Sequence, residues 1–139
     1  SSTFNSSSDA MIKSAAAVTV IQGCSHSSGG SAPMCDYTGS GNLNFNLNQC
    51  LGSAPYVLDQ QGGTCFALFN FLGAFAPNND CIKIGAGALM YLTHNTLISS
   101  TGTGYVLQGS GTVNGSMIVY GDSTAKDPSL TFNLLPSDP

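Results

Sequence analysis

The chain is 139 residues long, 42% apolar and only 7% charged, with a formal net charge of −4. That length and apolar share suit a single domain with a real core and exclude a disordered tail. Its three cations, Lys13, Lys83 and Lys126, are too few and too scattered to neutralise a phosphate backbone or an anionic bilayer surface, so nucleic acid is excluded as a partner.

Ser, Thr, Asn, Gln and Gly supply the solubility that Lys and Glu usually provide. Such a surface is neutral and hydrogen-bonding. It is common outside cells and suits contact with glycans, other extracellular surfaces or copies of the same chain.

Residues 1–8 (SSTFNSSS) carry little apolar mass and are expected to form a mobile end or an added edge segment. The chain opens on Ser1 without Met or a basic-then-apolar leader, which reads as a mature form that has lost its signal peptide. Ser8 or Asp9 is placed to cap a short helix through Ala10–Ala17. The β-branched run Val18–Ile21 then favours a strand. Residues 23–41 read as a Gly/Ser-rich loop tied at Cys24 and Cys35, with His26 exposed within it.

Leu43 to Asn48 alternate apolar and polar, predicting a half-buried strand with Leu43, Phe45 and Leu47 inside. Tyr56–Leu58 extends another strand before a turn over Asp59–Gly63. Residues 65–76 (CFALFNFLGAFA) are apolar nearly all round, so they predict either a buried helix or a buried strand, with Phe66, Phe69, Phe71 and Phe75 in the core. Pro77–Asp80 ends that run. Neither it nor Ala10–Ile21 reaches the roughly 20 apolar residues that span a bilayer, so no transmembrane segment is expected.

Cys81–Ile84 and Leu89–Leu92 read as short strands around Gly85–Ala88. Tyr105–Val113 and Ser116–Tyr120 flank Asn114-Gly115, the signature of a type I′ hairpin. Leu130–Leu135 is the last predicted strand. No fixed residue period is convincing, and no linker divides the chain. The expected fold is mainly β: one sandwich or barrel-like domain over residues 1–139, with one or two short helices and disulfide cross-links.

The five cysteines, at 24, 35, 50, 65 and 81, include no CxxC pair and are joined by only two histidines, His26 and His94. This spacing argues against zinc and for disulfides in an oxidising compartment. Four are expected to pair, as Cys24–Cys35 and Cys50–Cys81, leaving one over. No metal or cofactor is expected. Asn5-Ser6-Ser7 and Asn114-Gly115-Ser116 are glycosylation sequons. The seven aspartates lie mostly beside Gly, Pro, Asn or Ser and read as turn formers. Tyr37, Tyr56, Tyr91, Tyr105 and Tyr120 fall near loops or strand ends, holding a hydroxyl in water or offering a ring to a sugar.

Two short segments carry family resemblances. Phe45-Asn46-Leu47-Asn48-Gln49-Cys50-Leu51-Gly52 resembles the strand-and-turn segment of cyanovirin-type lectins, which implies binding of mannose-rich glycans through polar loops. Gly62-Gly63-Thr64-Cys65-Phe66-Ala67-Leu68 resembles the nucleophile turn of papain-like enzymes. That resemblance implies a small cysteine hydrolase with Cys65 as the thiolate at a helix N-terminus and His94 as its base. Gln60 or Gln61 would serve the oxyanion, and Asp122 or Asn95 would orient the imidazole. Read from the residues alone, Cys65 is a disulfide partner or a small buried hydrophobe.

Three functions follow in order. The first is a secreted, non-enzymatic binding protein for glycans or another extracellular surface. The second is a structural subunit of an extracellular filament or coat. The third is the Cys65/His94 hydrolase.

Overall fold

The computed structural model describes residues 3–4, 12–28, 33–53, 55–75, 80–99, 105–116, 119–120 and 126–134. Their regular structure is entirely β. After β1 (Thr3–Phe4), the strands come in triplets. The first is β2 (Ile12–Ser14), β3 (Val18–Gln22) and β4 (Ser25–Ser28). The second is β5 (Cys35–Tyr37), β6 (Asn42–Asn46) and β7 (Gln49–Gly52). The third is β8 (Leu58–Gln60), β9 (Thr64–Leu68) and β10 (Phe71–Ala74). The fourth is β11 (Ile82–Ile84), β12 (Leu89–Thr93) and β13 (Thr96–Ser99). The fifth is β14 (Leu107–Gly109), β15 (Thr112–Ser116) and β16 (Val119–Tyr120), and β17 (Thr131–Leu134) closes the series.

Each strand pairs in parallel with its counterpart one triplet away, never with its neighbour in sequence. This makes three sheets: I (β14-β11-β8-β5-β2), II (β17-β15-β12-β9-β6-β3) and III (β1-β4-β7-β10-β13-β16). The chain is therefore a parallel β-solenoid. Four turns separate Ile12 from Leu107 along sheet I, through Cys35, Leu58 and Ile82. Parallel pairing with period-two alternation puts one side chain in two inside each rung and stacks like positions about 4.8 Å apart.

The core is the bore of this coil. Sheet II sends in Leu43, Cys65, Met90 and Val113 as one column and Phe45, Ala67 and Leu92 as another. Phe45 above Ala67 is a large-against-small fit that fills the bore without a void. Sheet I supplies Cys35, Leu58, Ile82 and Leu107, and sheet III supplies Cys50, Leu72 and Leu97. At the corner between sheets I and II the chain passes so close to the rung below that only glycine fits. A Cβ on Gly41 would stand on the Ala17 carbonyl, and one on Gly63, at φ +63°, on the Gly41 carbonyl.

These facts correct the sandwich or barrel expectation. No helix is found among the described residues, and the Ile12–Ser14 part of the expected first helix is strand. The 65–76 run divides into β9 and β10 around a corner. Asn114-Gly115 is not a hairpin turn: it lies inside β15, paired in parallel with β12 and β17. A long-range parallel ladder overrides the local turn signal because both edges of the strand find registered partners. The disulfides are also absent. All five cysteines are free thiols, Cys24 half-buried and the other four buried. Cys35, Cys50, Cys65 and Cys81 serve as small hydrophobes in the bore. His26, expected on the surface, is buried in register with Cys50.

Candidate functional site

The corner between sheets II and III is built by two residues per turn, and its chemistry repeats. The second residue is a buried asparagine in three successive rungs: Asn48, Asn70 and Asn95. Each side chain spends its donors and acceptor on backbone groups that the corner would otherwise strand. Asn70 Nδ2 donates to Phe45 O at 2.7 Å and to Asn95 Oδ1 at 2.8 Å, while its Oδ1 accepts the Asn48 N–H at 2.9 Å. The Asn70 N–H in turn donates to Asn95 Oδ1 at 2.9 Å. Asn48 Nδ2 reaches Ile21 O, and its Oδ1 accepts the Cys24 N–H. Asn95 Nδ2 donates to Ala67 O and Thr93 O, both at 2.8 Å.

This amide ladder permits an unusual residue just before it. Leu47, Phe69 and His94 hold φ of 56°, 55° and 53°, the left-handed region that bulky side chains avoid. Gly23 occupies the same position one rung earlier, at φ 65°. Holding a bulky residue there costs on the order of 1–3 kcal/mol. The side chains gain little from the core: Leu47 and Phe69 remain 54% and 56% exposed. Phe69 and His94 stack with centroids 4.8 Å apart.

The structure does not bring the hydrolase candidates together. Cys65 points into the bore from the middle of β9, not from a helix N-terminus, and burial pushes its thiol pKa well up. His94 is exposed at the outer corner. Gln60 is buried, with Nε2 donating to Gly62 O, Gly63 O and Leu89 O, and Gln61 Nε2 donates to Asp59 Oδ2. Asn95 belongs to the ladder. Asp122 lies outside the described residues.

The acidic residues divide between turns and strands. Asp80 and Asp127 act as turn formers, accepting the Tyr105 and Gly109 N–H groups respectively. Asp127 also accepts the Ser129 N–H, and the Ser129 and Gly109 bonds hold its carboxyl below the ordinary pKa, whereas burial raises that of Asp80. Asp36 and Asp59 are not in turns. On the outer side of sheet I they stand in register between Lys13 and Lys83, giving the row Lys13-Asp36-Asp59-Lys83. Lys83 Nζ lies 3.8 Å from Asp59 Oδ2 and 5.0 Å from the centre of the Tyr56 ring. Four of the ten charged residues thus neutralise one another in one row. Among the described residues no three His, Cys or Asp side chains converge on a metal position.

The outer side of sheet II is the opposite case. Its outward positions include Asn42, Asn44 and Asn46 on β6, Thr64, Phe66 and Leu68 on β9, and Leu89, Tyr91 and Thr93 on β12. Beyond them lie Thr112, Asn114 and Ser116 on β15 and Thr131 and Asn133 beside them. None of these side chains is charged. Phe66 and Tyr91 stack with ring centres 5.2 Å apart and planes nearly parallel, at 5°. Asn133 Nδ2 donates to Asn114 Oδ1 at 2.9 Å, placing the second sequon asparagine on this face. Asn5 and Tyr120 lie beyond the residues whose side chains are described. Tyr37, expected near the surface, is buried, with its hydroxyl donating to Ala16 O at 3.0 Å.

No helix of the described residues is long and apolar enough to cross a membrane. No protein-family model, curated protein or solved structure matches the chain. The lectin-like segment 45–52 here forms the end of β6, an asparagine corner and β7.

Proposed function

We propose that this chain is a non-enzymatic binding module that holds a neutral, extended glycan on the outer face of sheet II. The observation that carries the reading is the lack of charge among the described outward residues of that face, while Lys13, Asp36, Asp59 and Lys83 gather on sheet I. Asparagine and threonine offer both donors and acceptors, as sugar hydroxyls require. The parallel ladder fixes their spacing before any ligand arrives, which lowers the ordering cost of binding. With the thiols free, an extracellular setting rests on the scarcity of charge alone.

The test is a glycan array followed by titration calorimetry. Neutral polysaccharides are expected to bind and anionic ones of the same backbone to bind less well. Asn44→Ala and Asn114→Ala are each expected to weaken binding about five- to ten-fold, the worth of one lost hydrogen bond at roughly 1–1.4 kcal/mol. Lys83→Ala, on sheet I, is expected to leave affinity unchanged. Binding lost equally with Lys83→Ala, or no neutral glycan bound by folded protein, contradicts the reading.

A further inference from the structure

We propose that copies of this chain stack end to end along the coil axis, because each end carries the part of a rung that the other end lacks. Ahead of the first triplet stands β1 alone, in sheet III beside β4. Behind the fifth triplet stand Lys126, bridged to Leu107 in sheet I, and β17, paired with β15 in sheet II. Among the described residues no strand follows β16 in sheet III, and none precedes β2 in sheet I or β3 in sheet II. Sheet III from one copy and sheets I and II from the other therefore make one whole rung.

The register fits the join in each sheet. Thr3 and Phe4 of β1 occupy the same two columns as Val119 and Tyr120 of β16, so β1 of one copy continues the ladder of β16 of another. In sheet II, Phe132 of β17 ends the bore column that Thr19 of β3 begins. Phe132 is only partly covered in the single chain, and the join sets it over the small Thr19, as Phe45 stands over Ala67 inside. Lys126, whose ammonium lies 4.1 Å from the centre of that ring, swings aside as the ring is covered. In sheet I, Asp127 follows Lys126 at one end and Lys13 follows Ile12 at the other, so the join brings opposite charges together.

An open strand edge specifies a strand as its occupant, since its outward backbone groups bond only to another backbone. The N–H groups of Asn42, Thr64, Leu89, Thr112 and Thr131 each donate to the rung before. By the same alternation, the N–H groups of Val18 and Val20 in β3 point out of the coil's first end, and that of Leu134 in β17 lies on the open edge at the last. Neither β3 nor β17 contains a charged residue or a proline, the usual guards of an edge. A head-to-tail contact of this kind does not close on itself, so it repeats into a filament. The stacking does not rest on the glycan reading, which concerns the outer face of sheet II.

Sedimentation velocity over a micromolar concentration series, with electron microscopy, tests it on wild type, Val20→Pro, Leu134→Pro and the two variants mixed. Each proline removes an N–H that faces the join and leaves the ladder inside the chain intact. Wild type is expected to form end-to-end oligomers that lengthen with concentration, and each variant alone to associate at least ten-fold more weakly. Each variant is blocked at one end only, so the mixture is expected to give a one-to-one dimer and nothing larger. Thermal melts show whether each variant is folded. Where one is not, Val18→Lys/Val20→Lys or Thr131→Lys/Asn133→Lys, at outward positions of the same edge strand, takes its place. A wild type that stays monomeric or stops at a closed dimer, folded variants that assemble as wild type does, or a mixture that stays monomeric would each overturn the inference.

Discussion

Replacing Asn70 with alanine is expected to lower the unfolding free energy by about 3–5 kcal/mol, a large share of what a domain of this size has. The side chain is 3% exposed and bonds two backbone groups, the Asn48 N–H and the Phe45 carbonyl. Its loss strands the Asn48 N–H and the Phe45 carbonyl inside the corner, and each buried orphan costs on the order of 1–3 kcal/mol. Asn70→Asp keeps the acceptor but loses the donor and buries a charge, so it should be at least as damaging. Asn133→Ala removes one exposed bond to Asn114 and should cost less than about 0.5 kcal/mol. Urea unfolding of the three variants measures this. A loss below about 1 kcal/mol for Asn70→Ala would show that the ladder does not hold the corner.

The second large effect is a steep loss of stability in alkali. Burial raises the thiols of Cys35 and Cys81 to about 12, and raises those of Cys50 and Cys65 further still. Asp36 and Asp59 add to the rise at Cys35. In the unfolded chain the same thiols titrate near their ordinary value of about 9. The folded state therefore keeps protons that the unfolded state releases. This stabilisation is fully present below pH 9 and is lost as the pH climbs toward 12. Each thiol contributes about 1.4 kcal/mol per pH unit in that window, and four together about 5 kcal/mol per unit. Thermal melts from about pH 8 to about pH 11 should show this slope, and Cys65→Ala should reduce it by about a quarter. The effect requires free thiols, so alkylating the unfolded, unreduced protein should modify all five cysteines. A flat profile up to about pH 10, or fewer than five labels, contradicts it.

Local strand content was legible in the sequence, and the topology was not. Val18–Ile21, the Leu43/Phe45 alternation and Leu89–Leu92 announced strands that exist. The same alternation misplaced Leu47, because a corner turns the chain before the pattern ends. The repeat was hidden by its own irregularity. Asn48 and Asn70 are 22 residues apart, and Asn70 and Asn95 are 25 apart, since the connections after sheet III and between sheets I and II both vary in length. The residue before each asparagine also changes from Leu to Phe to His. The signal that could have revealed it is an asparagine two residues after β6, β9 and β12, with Gly41, Gly63 and Gly111 just before β6, β9 and β15. The run 65–76 looked buried because both its faces are apolar. One face is the bore, and the other is the outer side of the coil, with Phe66 and Leu68 on sheet II and Phe69 at the corner. The cysteines misled for a related reason: in a narrow bore a thiol is a convenient small hydrophobe, and Cys35, Cys50, Cys65 and Cys81 fill that role without cross-linking.

The central claim is that sequence-distant strands pair in parallel while sequence neighbours do not pair at all. Interstrand nuclear Overhauser contacts around Asn114 test this most directly, because the ladder and the hairpin place that residue beside different protons. The solenoid predicts contacts of Val113, Asn114 and Gly115 with Met90, Tyr91 and Leu92 on one side and with Phe132 and Asn133 on the other. Antiparallel Hα–Hα contacts between residues flanking Asn114-Gly115, with none to Tyr91, would contradict it.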